Sequence, residues 1–243
     1  MKRALAVALI TLATGAGTIV ACWTGYALVA WLGYGRLQVD RRPDALFDRF
    51  MPVYEIAERH ETRVAAPAHV TYAAACAFDL QRSAIVRAIF RGREILLRAP
   101  REREVLPTQL LAQTLRIGWG VLAEDPGHEF VMGAVTQPWE PQVTFHAVPP
   151  DRFASFGTPG YAQIAWSISA DRIDERTSLL RTITRVRTTD AASREKFRRY
   201  WATYSPGILL IRFAALRVVR GEAERRYREM GRDVQPSPCP RNS

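Results

Sequence analysis

The sequence predicts an α+β domain, a curved antiparallel sheet covered by one long C-terminal helix, preceded by a single N-terminal transmembrane helix. Three observations predict this class. The chain begins with a long uncharged run, its middle holds segments in which apolar and polar residues alternate, and its last part carries aromatic residues at helical spacing. Since sheet and helix each need an apolar partner, the economical packing lays the helix across one face of the sheet.

The composition is that of a folded protein with a basic surface. The 243 residues are 48% hydrophobic and 24% charged, which excludes wholesale disorder and a polytopic membrane protein. The net charge is +10, and nearly all the positive residues are arginines, because only Lys2 and Lys196 are lysines. The three cysteines (Cys22, Cys76 and Cys239) lie far apart, which excludes a disulfide framework and a C-x-x-C metal or redox site.

Residues 1–35 are predicted to form a transmembrane anchor. No charged residue lies between Arg3 and Arg36, a run longer than the roughly 20 residues that span a bilayer and longer than a cleaved signal needs. The small residues before Cys22 resemble a lipobox, so lipid attachment at this cysteine is an alternative. Apolar sequence continues past Cys22, however, and this favours a cysteine within a membrane helix.

Charge and composition also divide the rest of the chain. Residues 36–50 are predicted to be a linker, residues 51–230 a folded domain, and residues 231–243, which hold three prolines, a disordered tail. Basic residues after the anchor outnumber those before it. The positive-inside rule therefore predicts a single-pass protein of the inner cell membrane with its soluble domain in the cytoplasm.

The first half of the domain is predicted to contain one strand and two helices. Residues 54–64 are strand-like, and Pro67 suits the first position of a helix that runs to Phe78. A second helix is predicted from Ser83, followed by a charged, proline-containing loop over 98–109. Five strand-like segments follow the loop: residues 115–123, 129–136, 143–148, 162–168 and 180–186.

The last helix is predicted to begin after Asp190, which can cap it. Its apolar face carries Phe197, Tyr200, Trp201 and Tyr204 at the spacing of successive helical turns. A kink is expected at Pro206–Gly207, beyond which the helix continues to Met230.

Several local sequences within residues 51–228 carry a family resemblance. They are Arg63–Ala68, Gly118–Trp119, Ala123–Gly127, Gly133–Val135, Pro138–Trp139, Pro159–Ala162, Arg181–Val186, Thr189–Asp190 and Phe197–Trp201. With the order of elements, they resemble a bacterial subgroup of the START-like superfamily (SRPBCC, polyketide cyclase/dehydrase-type, helix-grip). One departure is Ile183, which stands where the subgroup's strand motif has a glutamate.

The resemblance implies a cavity between the sheet and the last helix that holds a hydrophobic ligand. Apolar walls with a few polar tips suit such a cavity. The alternative is a solid core, because aromatic residues at helical spacing are more often packing residues. The residues predicted to line the pocket are Trp119, Phe145, Ile164, Trp166, Ile168, Thr182, Thr184, Phe197, Tyr200, Trp201 and Tyr204.

Few residues suggest catalysis. Glu124, His128 and His146 are the candidates for proton transfer, although turn residues such as the first two are more often solvated. No H-x-x-x-H, H-E-x-x-H, G-x-S-x-G or nucleotide-binding glycine motif occurs, so neither a metal nor a cofactor is predicted.

The predicted function is that of a membrane-anchored binding or carrier domain for a hydrophobic, lipid-like or polyketide-like small molecule. The alternative is a cyclase- or dehydratase-type enzyme on the same fold, and a third possibility is an interaction module with a collapsed cavity. The expected partners are the ligand and the bilayer, to which a basic terminal helix could also bind. No nucleic-acid motif is present, so nucleic acid is not an expected partner, and the oligomeric state stays open.

Overall fold

The computed structural model describes residues 2–34, 44–79, 87–88, 91–92 and 107–233. The helices are α1 (Lys2–Gly33), α2 (Ala45–Asp48), α3 (Ala68–Cys76), α4 (Leu110–Arg116), α5 (Pro150–Phe153) and α6 (Ala191–Asp233). The strands are β1 (Ile56–Val64), β2 (Gly120–Asp125), β3 (Glu129–Thr136), β4 (Phe145–His146), β5 (Ala162–Arg172) and β6 (Ser178–Thr188). Most of the predicted second helix, residues 36–43 of the predicted linker and residues 234–243 of the predicted tail lie outside these ranges.

All strand pairs are antiparallel, in the order β1-β6-β5-β3-β2, and β4 pairs with the end of β3. The predicted α+β class, with an antiparallel sheet and a long C-terminal helix, is confirmed. The predicted strand over 115–123 is wrong in its first half, because residues up to Arg116 form α4. Gly118, at φ +100°, ends this helix in a conformation that favours glycine, and β2 begins only at Gly120.

The sheet has two covered faces, which we call inner and outer. Paired residues of neighbouring strands point to the same face. The inner face includes Glu58, Thr184, Trp166 and Met132, which follow one another across β1, β6, β5 and β3. It is covered by α3 and α6. The outer face is covered by α2, α5 and the chain between α2 and β1.

Two apolar clusters lie on the inner face. The first, the aromatic cluster, consists of Tyr72, Trp119, Phe130 and Trp166, whose successive ring centroids lie 5.4 to 6.3 Å apart. Leu216 and Val219 of α6 pack in the same core. The second, the entrance cluster, consists of Tyr34, Ile56, Val186, Phe197 and Trp201. The helix α6 is therefore held to the sheet at two places.

The outer face buries residues that the sequence analysis assigns to the linker. Phe47 of α2 is fully buried with Tyr54, Phe153 and Ile183. Asp44 accepts a hydrogen bond from the backbone N–H of Phe47 and so caps α2. Burying one such aromatic side chain contributes about 2–3 kcal/mol. Residues 44–50 thus pack as part of the folded domain.

The helix α1 is joined to the domain by polar contacts. The hydroxyl of Tyr34 donates to the buried carboxylate of Glu55, which also accepts from Thr188 and Arg194. Arg198 of α6 lies over the ring of Trp31 and donates to its carbonyl oxygen. The end of α1 is therefore fixed against α6 and the start of β1.

Two helices are apolar enough to consider in relation to a membrane. Where side chains are described, Ala191–Met230 meets the length and composition of a membrane span, and Ala21–Leu32 is a shorter apolar helix. The first of these lies within α6, which packs Phe197 and Val219 against the sheet as the covering helix of the domain. The predicted anchor coincides with α1, a continuous helix of 32 residues, and its membrane insertion stays a prediction.

Candidate functional site

A group of polar residues lies on the inner face between the two apolar clusters. We call it the polar centre: Glu58, His60, Thr182, Thr184 and Arg212. The register of β1 and β6 pairs Glu58 with Thr184 and His60 with Thr182, so all four side chains point towards α6. Arg212 comes from α6 itself. The alternation of β1 and a single inward-facing arginine therefore bring ionisable groups into a largely apolar interface.

Arg212 is the most unusual member of the polar centre. Its Nη2 donates to Thr184 Oγ1 at 2.5 Å, whereas its Nε is buried and has no hydrogen-bond partner. Within the described part of the chain, no carboxylate forms an ion pair with it. Burial lowers the pKa of Arg212 to about 10, and the charge of Glu58 offsets part of this effect. The guanidinium therefore stays charged at neutral pH.

His60 is the second incompletely satisfied group. Its ring stands edge-on to the ring of Phe213, with the centroids 5.0 Å apart. Its Nε2 lies 3.4 Å from a carboxylate oxygen of Glu58, but the two atoms do not have hydrogen-bond geometry, and Nε2 is buried without a partner. An unpaired buried polar atom costs about 1–3 kcal/mol. The polar centre thus weakens the domain unless another group pairs with these atoms.

A cleft between α1, β1 and α6 leads towards the polar centre. Its volume is about 180 Å³. Glu58 belongs both to its wall and to the polar centre, and Trp201 provides an aromatic wall. The full lining is Tyr26, Val29, Ala30, Tyr34, Glu55, Ile56, Ala57, Glu58 and Trp201. A larger groove of about 430 Å³ is built from residues 147–149, 152 and 155–158 around α5, away from the polar centre.

The residues predicted to line a pocket lie at the interface between the inner face and α6. Trp119, Phe145 and Trp166 pack on one another in or beside the aromatic cluster, and Ile168 is buried there. Ile164, Phe197, Tyr200 and Trp201 belong to the entrance cluster or pack on it, and the ring of Tyr204 contacts that of Tyr200 at a tilt, with the centroids 5.0 Å apart. Thr182 donates to the carbonyl of Ser167, and Thr184 accepts from Arg212. Of these residues only Trp201 lines the cleft, so their common role as pocket walls stays a prediction.

The three residues predicted for proton transfer do not converge. Glu124 and His146 are exposed. Glu124 pairs with Phe130 and His146 with Val135, positions about 17 Å apart along β3 at roughly 3.3 Å per residue. Glu124 and His146 therefore lie far apart on the sheet, and the role of any one of the three residues in proton transfer stays a prediction.

The contacts of His128 indicate a structural role for this residue. Its two ring nitrogens contact the carboxylates of Asp125 and Asp171 at 3.0 and 2.9 Å. Partial burial opposes protonation, but hydrogen bonds and the negative charge of Asp171 outweigh it, so the pKa of His128 is raised. The ring ties the β2–β3 hairpin to β5.

Glu58, His60 and Arg212 are not among the site residues predicted from the sequence. One signal was available: Arg212 is the sole charged residue between Arg199 and Arg217 and interrupts an apolar run. Glu58 and His60 alternate along a strand, as solvated residues on one face also do. Among the described residues, no three His, Cys, Asp or Glu side chains come together as metal ligands would.

Comparisons with known proteins return remote structural likenesses. No family model matches the sequence, and no curated protein sequence matches it. A Zhui aromatase/cyclase from a Streptomyces species aligns with 16% identity and a TM-score of 0.31 over 72% of this chain and 98% of that chain. Norcoclaurine synthase from Thalictrum flavum, in complex with dopamine and hydroxybenzaldehyde, aligns with 9% identity and a TM-score of 0.35, over 82% and 99%. A conserved protein from Geobacillus kaustophilus aligns with 9% identity and a TM-score of 0.31, over 70% of this chain and 96% of that chain.

Proposed function

We propose that this protein is a membrane-tethered binding domain that holds an apolar small molecule between the inner face of the sheet and α6. The observation that carries the proposal is the polar centre, where buried donors lie without partners beside a cleft. Natural interiors pair nearly all their buried polar groups. A bound molecule that supplied the missing acceptors would remove the cost of leaving them unpaired.

The surroundings of the polar centre support an apolar ligand. The aromatic cluster on one side and the entrance cluster on the other present large apolar surfaces. Burial of apolar surface contributes about 25 cal/mol per Å² before the costs of ordering the ligand are subtracted. The cleft of 180 Å³ is smaller than the roughly 300 Å³ of ordinary ligand sites. Binding therefore requires α6 to move away from the sheet between its two points of attachment.

The sequence and exposure of α1 support the proposal that this helix tethers the domain to a membrane. It is uncharged between Arg3 and its end, and Leu28, Val29 and Leu32 near its C-terminal end are exposed. Tyr26, Val29 and Ala30 of the same helix line the cleft. If α1 spans the inner membrane with the domain in the cytoplasm, the cleft opens close to the bilayer surface. A ligand from the membrane then has a short path to the interior.

Native mass spectrometry of the full chain, released from nanodiscs, tests this proposal. The expected result is an additional organic mass on the wild-type protein. Thr184→Phe fills the interior beside Trp166 and should lose that mass, whereas Leu210→Phe, at an exposed position of α6, should keep it. A wild-type protein that carries no additional mass, and whose Tm does not respond to a panel of lipids and aromatic compounds, would contradict the proposal.

A proton-transfer enzyme of the cyclase or dehydratase type is the second candidate. The 3.4 Å approach of His60 Nε2 to the Glu58 carboxylate favours it, since paired groups of this kind can act as acid and base. Of the candidates predicted from the sequence, Glu124 and His146 are exposed, and His128 is held by Asp125 and Asp171. Conversion of the molecule found by mass spectrometry, lost in His60→Gln while binding is kept, would favour the enzyme over the carrier.

A further inference from the structure

We propose that the polar centre binds the anionic head of an amphipathic molecule, a carboxylate or a phosphate ester, with Arg212 as its main partner. The proposal rests on the proposed function and specifies the class of ligand. It assigns the head to the β1–β6 side of the inner face and the apolar tail to the aromatic cluster.

The first argument is the charge of Arg212. Its Nε is buried without a partner, and its one hydrogen bond goes to the neutral hydroxyl of Thr184. A buried cation is stable only when an opposite charge lies close to it. Glu58 influences Arg212 electrostatically but forms no ion pair with it within the described residues. A carboxylate or phosphate matches the planar donors of a guanidinium and supplies the missing negative charge.

The second argument is the position of His60. It lies on the same face of β1 as Glu58, two residues further along, and its buried Nε2 also lacks a partner. The cross-strand neighbour of Glu58 is Thr184, which holds Arg212. The two unpartnered nitrogens therefore belong to adjacent positions of one polar patch. An anion with two or more acceptor oxygens can accept from Arg212 Nε and, when His60 carries a proton on Nε2, from His60 as well, and unlike an alcohol it also supplies the negative charge that Arg212 lacks.

The third argument is the arrangement of polar and apolar residues across the sheet. Thr184 pairs with Trp166 on β5, so the polar centre and the aromatic cluster are direct cross-strand neighbours, about 5 Å apart. Trp166 in turn contacts Phe130 and Trp119. A molecule with its anionic end at Arg212 thus has its apolar end against aromatic rings. This order across the face is the one that an amphiphile requires.

Calorimetric titration of the full chain in nanodiscs of neutral lipid, with empty nanodiscs as the blank, tests the inference. The probes are octanoate, octyl phosphate, octanol and inorganic phosphate. Octanoate and octyl phosphate should bind at least about tenfold more tightly than octanol, because one charged hydrogen bond corresponds to that ratio. Inorganic phosphate should bind more weakly than octyl phosphate, because it lacks a tail.

Substitutions test whether Arg212 is the cause of the tighter binding of octanoate and octyl phosphate. Arg212→Met should reduce the affinity for octanoate to that for octanol, while Arg212→Lys should keep part of the difference. Thr184→Val, which removes the hydroxyl that orients the guanidinium, should lower the affinity for octanoate and octyl phosphate but not for octanol. Arg217→Met is the matched control: it removes an exposed arginine from the same helix and should leave every affinity unchanged.

The possible failures are distinguishable. Equal affinities for octanol and octanoate in the wild-type protein would contradict the inference that the ligand has an anionic head, and would leave the proposed function intact. Equal affinities for inorganic phosphate and octyl phosphate would contradict the inference that the ligand is an amphiphile whose apolar tail contributes to binding. If no probe binds, the amphiphile with an anionic head is overturned, and the mass-spectrometric test of the wild-type protein decides the proposed function separately. If Arg212→Met does not fold, the four wild-type titrations still decide between these outcomes.

Discussion

Two inward-pointing arginines on opposite faces of one sheet have very different surroundings. Arg185 points to the outer face and is fully buried. It forms an ion pair with Asp48, donates to the carbonyl of Met51, and lies over the rings of Phe47 and Tyr54. Arg212 reaches the inner face from α6 with one neutral hydrogen-bond partner, Thr184.

Burial of an arginine therefore does not by itself indicate a functional site. The partners of Arg185 come from α2 and the chain after it, so this arginine attaches that segment to the sheet. Glu55 and Glu58 differ in the same way. Glu55 accepts hydrogen bonds from Tyr34, Thr188 and Arg194, whereas Glu58 lies half-buried at the wall of a cleft. Among the described residues, Arg212 on the inner face lacks the carboxylate ion pair that Arg185 has on the outer face.

The largest effect is expected for Arg185→Met. This variant leaves Asp48 without its cation and the carbonyl of Met51 without its donor, which should lower the free energy of unfolding by about 3 kcal/mol. The estimate is at the lower end for a buried pair because Asp48 is about one-third exposed, at 34%. Urea denaturation of the full chain in mild detergent measures the change.

Arg212→Met is the comparison variant for that experiment. Because it removes a poorly compensated cation and one neutral hydrogen bond, the loss should not exceed about 1 kcal/mol in the ligand-free protein. Equal losses for the two variants would show that Arg212 is as structural as Arg185, and the distinction between the faces would disappear.

A smaller effect is expected for Glu55→Gln. The substitution weakens a charged hydrogen bond to Arg194 and disturbs those from Tyr34 and Thr188, and this should cost about 1–3 kcal/mol. The variant should also detach the end of α1, which limited proteolysis near Tyr34 would detect. Glu195→Gln is the control, since Glu195 pairs with Arg199 on an exposed turn of α6 and should contribute less than about 0.5 kcal/mol.

The smallest effect is a pH dependence of stability from His128. Because its pKa in the folded protein is raised above the ordinary 6.5, its contribution is fully present below that pH and is lost as the pH rises through the folded pKa. His128→Gln should therefore lower stability at about pH 5.5 more than at about pH 8.5, by roughly 0.5 kcal/mol for a partly exposed group. In an Asp171→Asn background the difference should shrink. A pH-independent effect of His128→Gln would contradict this explanation.

Much of the fold could be predicted from periodicity. The alternation in β5 and β6 and the helical spacing of Phe197 and Trp201 gave the correct elements and inward faces. Alternation over 115–123 was misleading, because Leu110, Gln113 and Thr114 already form the buried side of a helix. Gly118 separates that helix from β2. Its positive φ is a requirement at one position, and the spacing of apolar residues does not predict it.

The site was predictable only in part. Aromatic residues of the inner face follow from the pattern, and with them the general location of the site. The polar centre depends on the register that places Glu58 beside Thr184 and on the turn of α6 from which Arg212 reaches the sheet. The first relation joins positions more than 100 residues apart and the second joins Arg212 to Thr184, 28 residues away on a different element, so local sequence contains neither.

Photocrosslinking with a diazirine-bearing fatty acid, followed by mass spectrometric mapping, tests the central claim most directly. The expected adducts lie on inner-face positions such as Thr184 and Trp166 and on the inward side of α6, and octanoate but not octanol should compete with them. Adducts confined to the exposed apolar residues of α1, such as Val29 and Leu32, with no competition by octanoate, would show that the fatty acid meets only the outside of the protein.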